Sequence, residues 1–232
     1  MAGTASAQTD AYVTFKAQPQ QPMAFKVIGV SGANLMVKDQ YGDKGLPLSQ
    51  IQEVRMAEPP DVKAALQAFQ AKDFAKALTL AKSVTDKYKG LPAGWAITMA
   101  LMVGNVALEQ KDLVKAEAAY KDFAAAYPGN SGADLGRARI AVAKKDYDAA
   151  TRTAEPLCQK ALTEKYVSAT DGQTYGQAFL VMGQVKEAKG DYAGALEAYL
   201  RVVTLFYHDR GAVALAQERA DDLRKQQLAF VP

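Results

Sequence analysis

One short pattern occurs four times in this chain and constrains its fold more than any other feature. In each copy an Asp is followed by a large apolar residue and, four positions after the Asp, by an Ala, with a helical pattern on both sides. The four aspartates are Asp73, Asp112, Asp146 and Asp191. Such internal similarity indicates a stack of repeated helical hairpins, each too small to bury its apolar face alone. A stack of this kind presents surfaces for holding a partner.

The spacing of the copies identifies the repeat. Asp112 and Asp146 are 34 residues apart, and the other two intervals, 39 and 45, are this length plus insertions of five and eleven residues. A period of 34 and the residues of the second copy resemble the tetratricopeptide repeat (TPR). The residues that carry the resemblance in this copy are Gly104, Ala116, Tyr120 and Pro128.

The other copies match less completely. The fourth has Gly183, Ala195 and Tyr199, the third has Ala154 in place of the aromatic residue, and the first is the most degenerate. The resemblance implies a mainly α protein, a right-handed TPR-like solenoid of about four hairpins with a capping helix after Ala212. Within the larger insertion, residues 168–172 (Ser-Ala-Thr-Asp-Gly) are interpreted as a loop.

The N-terminal quarter has a different period. From Tyr12 to Met56 apolar residues alternate with period two between turn residues, which predicts a meander of four or five short strands. Its size resembles a small all-β barrel of the SH3-like or Sm-like type. Pro59 and Pro60 close this region. We therefore divide the chain into a disordered tail or signal-peptide remnant (1–10), a β-barrel module (11–57) and a TPR-like domain (60–228).

The charge balance and the hydropathy pattern argue against nucleic-acid binding and against a membrane span. The 28 basic and 25 acidic residues give a net charge of +3, too balanced to favour nucleic acid, and no apolar run is long enough for a membrane span. The alternative function is an RNA-binding accessory protein that uses the Sm-like module. Four lysines are available for it: Lys16, Lys26, Lys38 and Lys44.

The chain has few residues suited to catalysis or metal binding. It contains one histidine, His208, and one cysteine, Cys158. A metal site needs several nitrogen or sulfur ligands, and a nucleophile needs a nearby base. We therefore predict no enzyme activity, no metal and no cofactor. A carbohydrate-binding protein or enzyme would instead need an exposed aromatic platform, for which the candidates are Trp95, Tyr166 and Tyr175.

The resemblance also implies where a partner binds. In TPR stacks the first helix of each hairpin lines a concave groove, which holds an extended or helical peptide. Asn105 and Arg139 occupy positions that chaperone-type TPR domains use to clamp a terminal carboxylate, but Leu66 and Leu135 replace other residues of that clamp. We therefore predict a mixed apolar and polar groove for a protein or peptide partner. Its residues are Leu101, Asn105, Leu108, Leu135, Arg139, Val142, Leu180, Gln184 and Glu187.

The N-terminus bears on the cellular compartment. Residues 2–8 contain the Ala-x-Ala pattern of a signal-peptide cleavage site, at residues 5–7, but lack the charged and apolar parts of a signal peptide. We interpret the chain as an exported bacterial protein, periplasmic or secreted, with a cytoplasmic location as the alternative. Neither the partner's identity nor the oligomeric state can be read from the sequence.

Overall fold

The computed structural model describes residues 9–165, 169–207 and 209–226 as a small sheet followed by helical hairpins. The described strands are β1 (Thr9–Phe15), β2 (Gln18–Ser31), β3 (Asn34–Asp39), β4 (Gly42–Pro47) and β5 (Ile51–Met56). The described helices are α1 (Pro60–Gln70), α2 (Phe74–Tyr88), α3 (Gly94–Glu109), α4 (Leu113–Ala126), α5 (Gly132–Ala143), α6 (Tyr147–Thr163), α7 (Ala169–Ala188), α8 (Tyr192–Leu205) and α9 (Arg210–Lys225). The chain divides after Pro128 into two compact units.

The five strands form an antiparallel sheet in the order β4-β3-β2-β1-β5. The strands β4 and β5 are its two edges, so the sheet is not closed, and the prediction of a closed barrel was wrong. The amide of Val54 in β5 donates a hydrogen bond of 3.0 Å to the carbonyl of Pro92. Because this bond uses the outer edge of β5, the loop between α2 and α3 stands where a closing strand would pair.

The sheet shares one apolar core with the helices that follow it. In β1, Ala11 and Val13 are buried while Asp10 and Tyr12 are exposed, as a half-buried strand requires. Buried strand residues and buried residues of α1, α2 and α3 belong to the same cluster, which includes Val27, Leu35, Val37, Val62, Val84, Leu91, Met99 and Val106. The first unit therefore comprises the sheet and the first two hairpins.

The helices pack in chain order, as expected for stacked hairpins. Each of α1, α2 and α3 packs on the next, α5 to α9 do the same, and α5 also contacts α7.

The segment that the sequence analysis interpreted as a loop, residues 168–172, is largely helical, since α7 begins at Ala169. Ser168 lies outside the described residues. Within the described ranges no helix combines the length and apolar character that crossing a membrane requires. The handedness of the stack stays a prediction.

The four hairpin turns have the same backbone structure. The residue before each Asp has positive φ: 59° at Lys72, 60° at Lys111 and Lys145, and 80° at Gly190. In every turn the Asp amide bonds back to a carbonyl five residues earlier, which closes the first helix in a Schellman motif. The Asp side chain then accepts the amide three residues ahead, at 2.9–3.2 Å, and so caps the second helix.

The hairpin interiors use two combinations of residue size. In the second and fourth hairpins a Gly of the first helix faces a Tyr of the second, because a Cβ at Gly104 or Gly183 would lie 2.7 or 2.3 Å from the ring of Tyr120 or Tyr199. The first and third hairpins have Ala at both equivalent positions, all fully buried: Ala65, Ala81, Ala138 and Ala154. The space between the two helices can thus be filled in two ways. Either a Gly faces a Tyr, or an Ala faces an Ala.

The Asp caps predict a specific loss of stability. We expect Asp146→Ala to lower the free energy of unfolding by about 1 kcal/mol, because the amide of Ala149 loses its acceptor. Urea denaturation followed by circular dichroism measures this loss. Asp146→Asn keeps an oxygen in the same place and should lose clearly less. Equal losses for the two variants would mean that charge, not the acceptor, stabilises the turn.

The pairing of Gly and Tyr predicts an overpacking penalty. We expect Gly104→Ala to lower the free energy of unfolding by about 1–3 kcal/mol, because the new methyl group overlaps the ring of Tyr120. Gly94→Ala on the same helix is the matched control, since a Cβ there meets nothing within 4 Å.

A double variant separates size complementarity from a general intolerance of Ala at position 104. Combining Gly104→Ala with Tyr120→Ala reproduces the Ala pair of the first and third hairpins. The double variant should lose less stability than the two single losses together. Strictly additive losses in the same denaturation experiment would contradict the proposed complementarity.

Candidate partner-binding site

The nine predicted groove residues lie on three first helices of hairpins. Leu101, Asn105 and Leu108 are on α3 in the first unit; the other six are on α5 and α7 in the second unit. Within each helix the three residues follow the spacing i, i+4 and i+7, which places them along one helix face.

On α3 the predicted polar residue takes part in hairpin packing. Leu101, Asn105 and Leu108 are all half-buried. The hydroxyl of Tyr120 donates a hydrogen bond of 2.7 Å to Oδ1 of Asn105. Part of the Asn105 side chain is therefore used to hold the α4 tyrosine over Gly104.

On α5 and α7 the predicted residues lie on two helices that contact each other although α6 separates them in sequence. Leu135 and Val142 pack against the core of the second unit and remain half-buried. Arg139 and Gln184 are also half-buried, whereas Leu180 is only 6% exposed and belongs to the core. We name the four half-buried residues Leu135, Arg139, Val142 and Gln184 the α5–α7 face.

Glu187 joins three helices. Its carboxylate accepts a hydrogen bond of 2.8 Å from the hydroxyl of Tyr199 on α8 and forms an ion pair with Arg219 on α9. Burial, with a further contribution from this carboxylate, raises the pKa of Tyr199, while the hydrogen bond to Glu187 raises the pKa of Arg219. The carboxylate thus ties α9 to the fourth hairpin. No local sequence pattern indicates this role, because Glu187 and Arg219 are 32 residues apart.

Three of the remaining candidates for chemistry lie in the described part of the chain, and all three are buried. Cys158 is 6% exposed, and burial raises the pKa of its thiol to about 12, opposite to what a reactive thiol needs. Trp95 and Tyr175 are 8% and 1% exposed, so neither forms an exposed aromatic platform. Tyr166 and His208 lie outside the described residues. In the described part of the chain, no group of three or more His, Cys, Asp or Glu residues could hold a metal ion.

The lysines of the sheet do not share one face. Lys26 is opposite Lys38 across β2 and β3, with Asp10 on the other side of Lys26. Lys38 is opposite Asp43, so its neighbour in β4, Lys44, points to the other face. Lys16 lies in the turn after β1. Two adjacent lysines with an aspartate on either side do not form a continuous basic surface.

The role of Glu187 predicts how α9 is held. We expect Glu187→Gln to increase amide exchange in α9 about fivefold or more, because the charge-assisted contact with Arg219 is weakened. Hydrogen exchange with mass spectrometry measures this change. Glu197→Gln is the matched control, since Glu197 pairs with Arg201 on its own helix. Unchanged exchange in α9 would show that its apolar contacts alone hold it.

Comparison with known proteins agrees with the hairpin structure. No curated protein matches the chain. A family model described as a tetratricopeptide repeat-like domain matches residues 51–223, from β5 to the last turns of α9. The match covers most of the chain and confirms the TPR-like helical assignment; the chain belongs to the tetratricopeptide repeat-like domain family.

Proposed function

We propose that this protein is a non-enzymatic scaffold that binds a protein or peptide partner through the first helices of its hairpins, with the α5–α7 face as the central contact. The observation that carries the proposal is the direct packing of α5 on α7. This packing brings two first helices of successive hairpins side by side, which is the arrangement that lets TPR-like repeats hold a partner. TPR-like proteins are generally binding proteins rather than enzymes, which supports the same reading.

The chemistry of the α5–α7 face indicates the kind of peptide. Leu135 and Val142 offer half-buried aliphatic surface one turn to either side of the Arg139 guanidinium, and Gln184 adds an amide from α7. A peptide with apolar residues around an acidic residue would complement this pattern. In the first unit, taken by itself, the proposed contact residues are Leu101, Asn105 and Leu108 of α3.

Two finer features belong to the same proposal. The Ala-x-Ala pattern at residues 5–7 supports action in the bacterial cell envelope, and the N-terminal sheet serves as a small SH3-like module beside the hairpins. Five antiparallel strands with β5 paired to β1 support this view of the sheet. We do not advance the RNA-binding alternative, because Lys38 and Lys44 lie on opposite faces.

A peptide selection tests the proposal. A phage library of random peptides is selected on the whole protein, and the peptides obtained are measured by fluorescence anisotropy. We expect Arg139→Glu to weaken their binding about tenfold or more, because an acidic peptide residue would meet a like charge. The peptides should contain at least one acidic residue flanked by apolar ones.

The control keeps the charge change but moves it to another helix. Arg152→Glu alters an exposed Arg of α6 in the same unit and should leave peptide binding within about twofold, as expected for a charge outside the contact. Peptides that bind Arg139→Glu as tightly as the unchanged protein would refute the α5–α7 face. Peptides without acidic residues would refute the role given to Arg139.

A further inference from the structure

We propose that the end of α8 and the outward side of α9 form a self-association surface, on which a second copy of this chain packs about a two-fold axis. The residues of this surface, which we name the α9 strip, are Leu205, Tyr207, Arg210, Leu215 and Glu218. The α9 strip lies within the second unit and shares no residue with the α5–α7 face. The inference is therefore separate from the proposed scaffold function.

The second unit exposes most of its large apolar side chains in this one segment. Among the described residues of the unit four such side chains are exposed, and three of them are Leu205, Tyr207 and Leu215. Leu205 is 53% exposed and Tyr207 is 62% exposed. Between them Phe206 is buried, and its ring stacks on Phe179 at 5.4 Å, so the segment is held with its two neighbours outward. A cluster of exposed apolar side chains is typical of an interaction surface.

The hairpin fold does not require apolar residues at these positions. Leu205 and Tyr207 stand 14 and 16 residues after the Asp of their turn. The corresponding pairs in the first, second and third hairpins are Lys87 and Lys89, Ala126 and Pro128, and Lys160 and Leu162. The first hairpin thus has two exposed lysines where the fourth has two exposed apolar side chains. Because exposing apolar surface to water is unfavourable, a contact that covers this pair explains its presence.

The buried and exposed residues of α9 lie on opposite sides of the helix. The buried side chains are Ala212, Ala216, Ala220 and Leu223, and the exposed ones include Arg210, Leu215 and Glu218. The helix packs on α7 and α8, and no helix follows it among the described residues. Its exposed side is therefore able to accept a helix of another molecule.

The charges of the α9 strip are complementary to themselves. Arg210 and Glu218 are both exposed, and neither forms an ion pair with another described residue. Each stands four residues from Ala214, on either side of it. If two α9 helices cross antiparallel at Ala214, Arg210 of one copy lies at the level of Glu218 of the other, and the two-fold axis repeats this pair. Leu215 of each copy is then next to the crossing point. This match of the helix with itself indicates a second copy of the chain as the occupant.

The small size of the surface sets the expected affinity. Specific, stable interfaces bury about 800 Å² on each partner, and five side chains offer less than this. We therefore expect a reversible dimer with a dissociation constant between micromolar and millimolar.

Sedimentation velocity of the whole protein, over concentrations from micromolar to millimolar, measures the association. We expect Leu215→Glu to abolish the dimer, because two carboxylates would be placed side by side at the centre of the contact. Val114→Glu makes the same kind of change at an exposed apolar residue of the first unit. This control should leave the dissociation constant within about twofold of its original value, as expected for a surface residue outside the contact.

Two charge reversals test the pairing of Arg210 with Glu218. Arg210→Glu and Glu218→Arg change the net charge in opposite directions. Each variant should nevertheless form its own dimer about tenfold or more weakly, because like charges then meet twice in the interface. An equimolar mixture of the two variants should associate at least as tightly as the unchanged protein, since opposite charges then meet at both positions. Circular dichroism confirms that each variant is folded.

Three outcomes would overturn the inference. A protein that stays monomeric at millimolar concentration would refute self-association. A dimer that survives Leu215→Glu would place the contact elsewhere on the chain. A mixture of the two reversed variants that associates no better than either variant alone would refute the pairing of Arg210 with Glu218.

Discussion

At every hairpin turn one Asp completes two helices at once. Its amide closes the first helix by bonding to a carbonyl five residues back, and its carboxylate caps the second helix. Because the residue before it takes positive φ, the chain reverses within a few residues in the same way each time. The four turns therefore fix where the two helices of each hairpin face each other. The position of each residue in the two helices of a hairpin can therefore be counted from this Asp.

The facing positions explain why the candidate polar residues differ in what they contact. Asn105 and Arg139 stand seven residues before their Asp, next to the close-packed position of the first helix. In the second hairpin the facing Tyr120 gives its hydroxyl to Asn105. In the third hairpin Ala154 occupies that place, so no hydroxyl comes from it to Arg139. The second and third hairpins thus place different side chains opposite the candidate polar residue of the first helix.

The sequence predicted the hairpins well because their signals are local. Each capping Asp acts on the helix that begins next to it, and each small residue acts within its own hairpin. The 34-residue period is the spacing at which these local signals recur. The open sheet could not be predicted, since it depends on Val54 meeting Pro92, 38 residues later. The contact of Glu187 with Arg219 is similarly remote in sequence.

The sequence analysis describes Ala154 as standing in place of an aromatic residue. In the structure Ala154 and Ala138 occupy the two positions that Tyr and Gly occupy in the second and fourth hairpins. The sizes of the two facing residues can be compared only once the structure shows which positions of the two helices face each other.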